Sequence, residues 1–338
     1  MSKQRKIAVL GAGSWGTALA IQLARNGQHL DLWGREVEVQ ETMARERQNS
    51  RYLPGIDLPQ GIRPVLDLAV AVEAAEVIVV VVPSEGFRGL LQKIAKIQGN
   101  RTSLPSLVWA TKGLEIKGVK LLHQVIIEEL GPKINKAIIS GPSFAKEVAL
   151  GLPTAVTVAA DDLGFAAHIA SLFHGDSFRV YTSDDIVGVE LGGALKNVLA
   201  IAAGISDGLG FGANARAALI TRGLSEIMRL GDSFNAQKQT LSGLSGLGDL
   251  ILTCTDDQSR NRRLGLAIGQ GKTLDDALGE IGQAVEGAVT AKAVEQLTID
   301  RQVEMPIAEA VYRVLYQGLD PHLAVTELLA RDLKVETL

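Results

Sequence analysis

The apolar positions in the first half of the chain come in short unbroken runs. Residues 7–10 end in a glycine, residues 77–82 are valines with one isoleucine stopped by Pro83, and residues 107–110 and 137–140 are two more. Unbroken runs predict strands covered on both faces, as in a parallel sheet, whereas alternation would predict one wet face. Residues 29–33 read as a further strand, and 154–159 and 178–181 extend the sheet. The stretches between suit helices, for example 16–26 and 120–130. Strand and helix alternate, which predicts a doubly wound, mostly parallel α/β domain.

From Ser183 the pattern changes. Ser183-Asp184-Asp185 reads as a helix start, and residues 186–205 follow without a proline. Pro306 suits a first helical position. Ile307, Val311, Val314 and Leu315 then share a face, and Gly318 ends that helix. Asp320-Pro321 opens a last one. The expected division is therefore a sheet domain over 1–183 and an all-α domain over 184–338. No low-complexity linker separates them, so they are expected to abut and share a cleft.

Composition narrows the class. The 338 residues carry 34 Lys and Arg against 38 Asp and Glu, a net charge of −4. A dedicated nucleic-acid partner would need a broad basic face, so none is expected; a small anion in a local positive pocket is still allowed. The single cysteine, Cys254, excludes an intrachain disulfide and any multi-cysteine metal site. The five histidines fall in no metal-binding spacing, so no metal is expected. The longest intense apolar run, Val77 to Val82, is far too short to span a bilayer, and Met1 to Lys6 is polar without a signal-peptide core. The expectation is a cytoplasmic protein without membrane insertion.

Gly11-Ala12-Gly13-Ser14-Trp15-Gly16 is a G-x-G-x-x-G that follows a predicted strand and opens a predicted helix, the context in which this pattern binds a dinucleotide. Gly11 permits the tight turn, Gly13 lets backbone approach a pyrophosphate, and Gly16 lets helix and strand pack closely. The sheet domain is thus read as Rossmann-type. After the second strand comes Gly34-Arg35, with no acidic residue at the strand end. Arg35 either meets a 2′-phosphate, which favours NADP over NAD, or is a solvated surface residue beside Glu36.

Polar and small residues gather at three strand ends, where ligands of open α/β sheets sit. Ser84 follows Pro83, Lys112 follows Thr111, and Gly141 and Ser143 follow the fourth run. Further on, Lys196 lies in a segment, 189–201, that is apolar almost all round and so predicted to be buried. Gly192 and Gly193 precede it by one turn and are expected to leave open space beside the amine, at some cost in helix propensity. Burial lowers a lysine pKa toward a usable general acid/base. The alternative is a lysine snorkelling to solvent. A second glycine-rich stretch runs over 243–249. Ser259-Arg260-Asn261-Arg262-Arg263 offers hydroxyl, guanidinium and amide donors for a phosphate, or is a solvated charge run. Cys254 reads as a small buried apolar residue.

Taken together, these residues resemble the bacterial-type NAD(P)-dependent glycerol-3-phosphate dehydrogenases. The resemblance runs in order through residues 11–16, 110–113, 140–145, 190–197, 246–250, 259–261 and Val285-Glu286-Gly287. It implies interconversion of dihydroxyacetone phosphate and sn-glycerol 3-phosphate with NAD(P)H, supplying glycerophospholipid synthesis. By this resemblance Lys196 is the proton donor/acceptor. Lys112, Gly141, Ser143, Lys196, Asp249, Ser259, Arg260 and Asn261 match substrate positions. The glycine loop (Gly11, Gly13, Gly16) with Ser14, Trp15, Arg35, Lys112, Ala145, Arg260 and Glu286 match cofactor positions. A homodimer is expected. Two rivals remain at this point: a β-hydroxyacid or 6-phosphogluconate-type dehydrogenase, which shares the two-domain plan, and a non-catalytic NAD(P)-binding sensor.

Overall fold

The structure is a computed structural model that describes residues 6–99 and 104–331. The polar N-terminal stretch, but for Lys6, lies outside the described residues. The chain forms two compact units: residues 1–111 with 122–186, and residues 112–121 with 187–338.

The first unit holds one eight-stranded sheet, made of β1 (Ile7–Leu10), β2 (Leu30–Trp33), β3 (Ile62–Val65), β4 (Val77–Val80), β5 (Ser106–Trp109), β6 (Lys136–Ser140), β7 (Thr154–Ala160) and β8 (Phe178–Ser183). Its helices are α1 (Ser14–Arg25), α2 (Val37–Glu46), α3 (Leu68–Glu73), α4 (Ser84–Gln98), α5 (Leu122–Leu130), α6 (Ala145–Leu150) and α7 (Leu163–Phe173). The strand order is β3-β2-β1-β4-β5-β6-β7-β8. Its first six strands are parallel, the Rossmann order with its reversal between β1 and β4. β7 runs antiparallel to β6, and β8 parallel to β7.

The unbroken apolar runs explain the central strands. β1 and β4 are buried at every position, because helices cover both faces. β3 was not legible as a strand: Ile62-Arg63-Pro64-Val65 has no unbroken apolar run and contains a proline. It survives because it lies at the sheet edge, where a missing N–H costs no ladder bond.

The second unit is helical: α8 (Ile186–Gly208), α9 (Gly212–Ser233), α10 (Lys238–Ser242), a single π-turn (Leu244–Gly248), α11 (Asp249–Thr255), α12 (Arg260–Gly269), α13 (Leu274–Ile281), α14 (Glu286–Arg301), α15 (Pro306–Tyr316) and α16 (Pro321–Leu329). Pro306 and Pro321 occupy first-turn positions, and Asp320 caps α16 through the backbone N–H groups of His322 and Leu323. α8 is long and apolar enough to cross a membrane, but 94% of its most apolar window is buried, as befits the central helix of this unit. Residues 112–121 begin three residues after the end of the fifth strand yet pack with the helices. Leu114 and Leu121 join the helical core, and Glu115 pairs with Lys120 in a short antiparallel bridge.

Candidate active site

In the first unit the glycine-rich turn joins β1 to α1 beside the strand-order reversal. Gly11 has φ +125°, and a side chain there would strike the carbonyl of Val81. A Cβ on Gly16 would strike the carbonyl of Gly11, so these two glycines exist for close packing. Gly13 differs: nothing lies within 4 Å of where its Cβ would stand. That open backbone at the start of a twelve-residue helix is a cradle for a pyrophosphate. The donor set therefore fits a dinucleotide.

Around this turn, Ser14 Oγ donates to the Tyr52 carbonyl at 2.5 Å, and Tyr52 Oη donates to Glu36 Oε1 at 2.5 Å. Arg51 pairs with the other Glu36 oxygen at 2.9 Å. Glu36 is thus engaged by two side chains, while its neighbour Arg35 is exposed at the end of β2. Trp15 Nε1 is buried with no hydrogen-bond partner. Past β6, Gly141 has φ +145°, its carbonyl accepts from Ser143 Oγ at 2.8 Å, and Ala145 begins α6.

In the second unit, three charged side chains that are far apart in sequence converge. Lys196 on α8 and Lys112 each bind one carboxylate oxygen of Asp249, which begins α11; the Lys112 contact is 2.7 Å. The side chains of Asp249, Lys196 and Lys112 are 1%, 8% and 15% exposed. Lys196 Nζ also donates to Thr253 Oγ1 at 3.0 Å. Burial pushes the Lys196 amine down to about 7; Asp249 opposes this and Lys112 reinforces it. With Lys196 protonated, two lysines against one carboxylate leave the cluster one positive charge in excess, which suits an anion or an oxygen gaining negative charge.

Gly192 does not leave the open space expected of it. The backbone of Ser245 and Gly246 fills the place of its Cβ. The glycine lets the π-turn lie directly on α8, and this turn leads straight into Asp249. Gly192 thus serves to position the carboxylate against the lysine rather than to make room for a ligand.

Alongside, Ser259 caps α12 by accepting from the Arg262 N–H at 3.2 Å. Asn261 Nδ2 donates to Asn197 Oδ1 at 2.9 Å, and Asn261 Oδ1 accepts from the Gly287 N–H at 2.8 Å. Asn197 Nδ2 in turn donates to the carbonyls of Lys112 and Gly193, each at 3.3 Å. Arg260 lies close enough to Glu286 to feel its charge, and burial lowers its guanidinium pKa. Lys112, Lys196, Asp249, Ser259, Arg260, Asn261 and Glu286 thus belong to one unit. Gly11, Gly13, Ser14, Trp15, Gly16, Arg35, Gly141, Ser143 and Ala145 belong to the other.

Sequence reading assigned no role to Thr253 or Asn197. Thr253 stands four residues after Asp249, so both lie on one face of α11, and that spacing was the available signal. Asn197 directly follows Lys196 and is bonded to Asn261. Cys254 is buried and its thiol is pushed up to about 12, as expected of a packing residue. Among the described residues no group of three or more His, Cys, Asp or Glu is placed to hold a metal.

A Rossmann sheet with an open Gly13 cradle, together with a helical unit holding a buried lysine of near-neutral pKa, defines a nicotinamide-dependent oxidoreductase. Comparison with known proteins narrows this class. The model of the NAD-dependent glycerol-3-phosphate dehydrogenase N-terminus matches residues 6–166, and that of the C-terminus matches residues 185–326. A glycerol-3-phosphate dehydrogenase (NAD(P)+) of Thioalkalivibrio sulfidiphilus is 60% identical, with 98% of this chain and 99% of that protein covered. The crystal structure of glycerol-3-phosphate dehydrogenase from Coxiella burnetii is 48% identical with TM-score 0.93, covering 97% of this chain and 99% of that one. Glycerol-3-phosphate dehydrogenase from Saccharomyces cerevisiae is 30% identical with TM-score 0.82, covering 97% and 100%. D-mandelate dehydrogenase, at 15% identity and TM-score 0.62, shares the fold alone. The chain belongs to the NAD-dependent glycerol-3-phosphate dehydrogenase family.

Proposed function

We propose that this protein interconverts dihydroxyacetone phosphate and sn-glycerol 3-phosphate, with Lys196 as the proton donor and acceptor. The observation that carries the role of Lys196 is its burial against Asp249 and Thr253, with Lys112 beside it. When bound, NAD(P)H supplies the hydride that reduces C2 of the ketone. As C2 gains hydride, its carbonyl oxygen gains negative charge. The Lys196 ammonium stabilises that oxygen and passes it a proton, leaving a neutral amine and a secondary alcohol. In reverse, the neutral amine takes the alcohol proton as hydride leaves C2. An amine poised near 7 supplies both forms at neutral pH.

Asp249 holds Lys196 in place and keeps part of the amine population charged. Arg260 and Asn261, at the capped start of α12, hold the substrate phosphate, and that anchor fixes C2 for reaction. Lys112, Ser259, Gly141 and Ser143 supply further polar contacts to the substrate. The backbone at Gly11, Gly13 and Gly16, with Ser14, Trp15 and Ala145, holds the dinucleotide. Lys112, Arg260 and Glu286 are assigned to it as well. Arg35 takes the 2′-phosphate of NADP; Glu36, already engaged by Tyr52 and Arg51, is a poor acceptor for the 2′-hydroxyl of NAD.

We read the protein as cytoplasmic from its single cysteine and polar N-terminal stretch, and as homodimeric and supplying glycerophospholipid synthesis on the strength of the family resemblance. Light scattering checks the dimer. The activity is checked by following NADPH absorbance after adding dihydroxyacetone phosphate or a panel of short keto acids. Oxidation with the phosphate alone supports the reading. Oxidation with keto acids only, or cofactor binding without turnover, would overturn it in favour of a hydroxyacid dehydrogenase or a sensor.

A further inference from the structure

Arg262 sits where the dipole of its own helix disfavours a cation. It occupies the first turn of α12, at the positive end of the helix dipole, with Arg260 and Arg263 as neighbours. Its main partner, Asp207, is as badly placed, one residue from the negative C-terminal end of α8. Each is nonetheless buried, at 11% and 9% side-chain exposure, and they meet at 2.6 Å. Asp207 also takes Arg216 of α9 at 2.8 Å, while the second Arg262 partner, Asp257, is mostly exposed. The Nε of Arg262 is buried without a partner. The stability of either helix taken alone does not account for two buried charges, each set against the dipole of its own helix.

The helices they join are those that carry the site. α8 and α12 run parallel and meet at four-residue steps: Asn197 bonds Asn261, Gly265 lies on the Ile201 carbonyl, and Gly269 on the Ile205 carbonyl. Gly204 and Gly208 face this seam from the α8 side. Backbone-to-backbone packing of glycines offers few side-chain knobs to stop α12 sliding along or turning on α8. A guanidinium anchored in α12 and gripping a carboxylate of α8 supplies that stop.

We propose that Arg262 is a positioning residue: by clasping Asp207 it fixes the first turn of α12, and with it Arg260 and Asn261, in register on α8. This rests on reading Arg260 and Asn261 as the phosphate anchor. Arg262 does not touch the substrate; it sets where the anchor stands relative to Lys196 and Asn197. Loss of the clasp therefore impairs use of the phosphate and leaves the reaction of a phosphate-free ketone alone.

The test compares wild type with Arg262→Gln, Arg262→Lys, Asp207→Asn and Arg260→Ala, using dihydroxyacetone phosphate and dihydroxyacetone at saturating NADPH, with urea midpoints recorded. Arg262→Gln and Asp207→Asn should raise KM for the phosphorylated ketone by on the order of 10²-fold, with kcat/KM for dihydroxyacetone unchanged. Arg262→Lys, which keeps the charge, should recover part of the loss. Should Arg262→Gln fail to fold, Asp207→Asn cuts the same contact from the other helix with a near-isosteric change. The proposal is overturned if Arg260→Ala raises that KM while Arg262→Gln and Asp207→Asn do not, or if these two depress both ketones equally. If Arg260→Ala itself leaves the preference for the phosphorylated ketone intact, the anchor reading fails, and the clasp proposal with it.

Discussion

Lys112 and Asp249 stand 137 residues apart in the chain and meet at 2.7 Å in the helical unit. Asp249 spends its other oxygen on Lys196, so one buried carboxylate restrains two cations. Because Asp249 favours the charged form of Lys196, removing its charge should lower the Lys196 pKa below its value of about 7.

The pH profiles follow with a definite sign. Ketone reduction needs the ammonium, so kcat/KM for dihydroxyacetone phosphate should fall as pH rises through about 7. Alcohol oxidation needs the amine, so its kcat/KM should rise through the same region. In Asp249→Asn both limbs should move to lower pH. Profiles measured in both directions check this; limbs that stay in place would mean that another group titrates.

Lys196→Ala should cut kcat by roughly 10²–10⁴-fold, the range for losing a positioned general acid or base. Cofactor affinity should persist, since Lys196 is not among the residues assigned to the dinucleotide and the Gly13 cradle is untouched. Stopped-flow turnover together with NADPH fluorescence titration separates the two effects. Near-normal turnover would remove Lys196 from the chemistry.

Arg35→Ala should weaken NADPH far more than NADH, because only the 2′-phosphate needs the guanidinium. Losing one charge-assisted contact corresponds to about 1.5–3 kcal/mol, or roughly 10- to 100-fold in KM for NADPH. An equal effect on both cofactors would assign Arg35 to the solvated surface.

Much of this was legible in the sequence because it depends on local pattern. The unbroken runs gave the central strands, and the three glycines of the first turn divide their work as their spacing implies: Gly11 and Gly16 are crowded by backbone, and Gly13 is open. Lys196 was legible because a charge in an apolar helix must be accounted for. Other features depend on distant partners and left weaker traces. β3 holds only through its edge position. The space expected beside Gly192 is taken by the Ser245–Gly246 backbone, which a helix read alone does not reveal. The Asn197–Asn261 bond joins residues 64 apart, and no periodicity encodes it.

The glycine seam makes the last prediction, in which two effects of one substitution oppose each other. Alanine is favoured over glycine inside a helix by about 1 kcal/mol. At Gly279 of α13, exposed with nothing within 4 Å of the added methyl, that gain should appear undiminished, and Gly279→Ala should raise the urea midpoint. At Gly204 the methyl would run into the Arg262 carbonyl, a backbone atom that cannot swing aside. Relief requires α12 to move off α8, which strains the Asn197–Asn261 bond and the Arg262–Asp207 pair together. Overpacking of this kind costs roughly 1–3 kcal/mol before those bonds are counted, so the collision should outweigh the helix gain. Gly204→Ala should therefore lower the urea midpoint and raise KM for dihydroxyacetone phosphate. A Gly204→Ala protein as stable as Gly279→Ala would show that the two helices are not held at backbone contact.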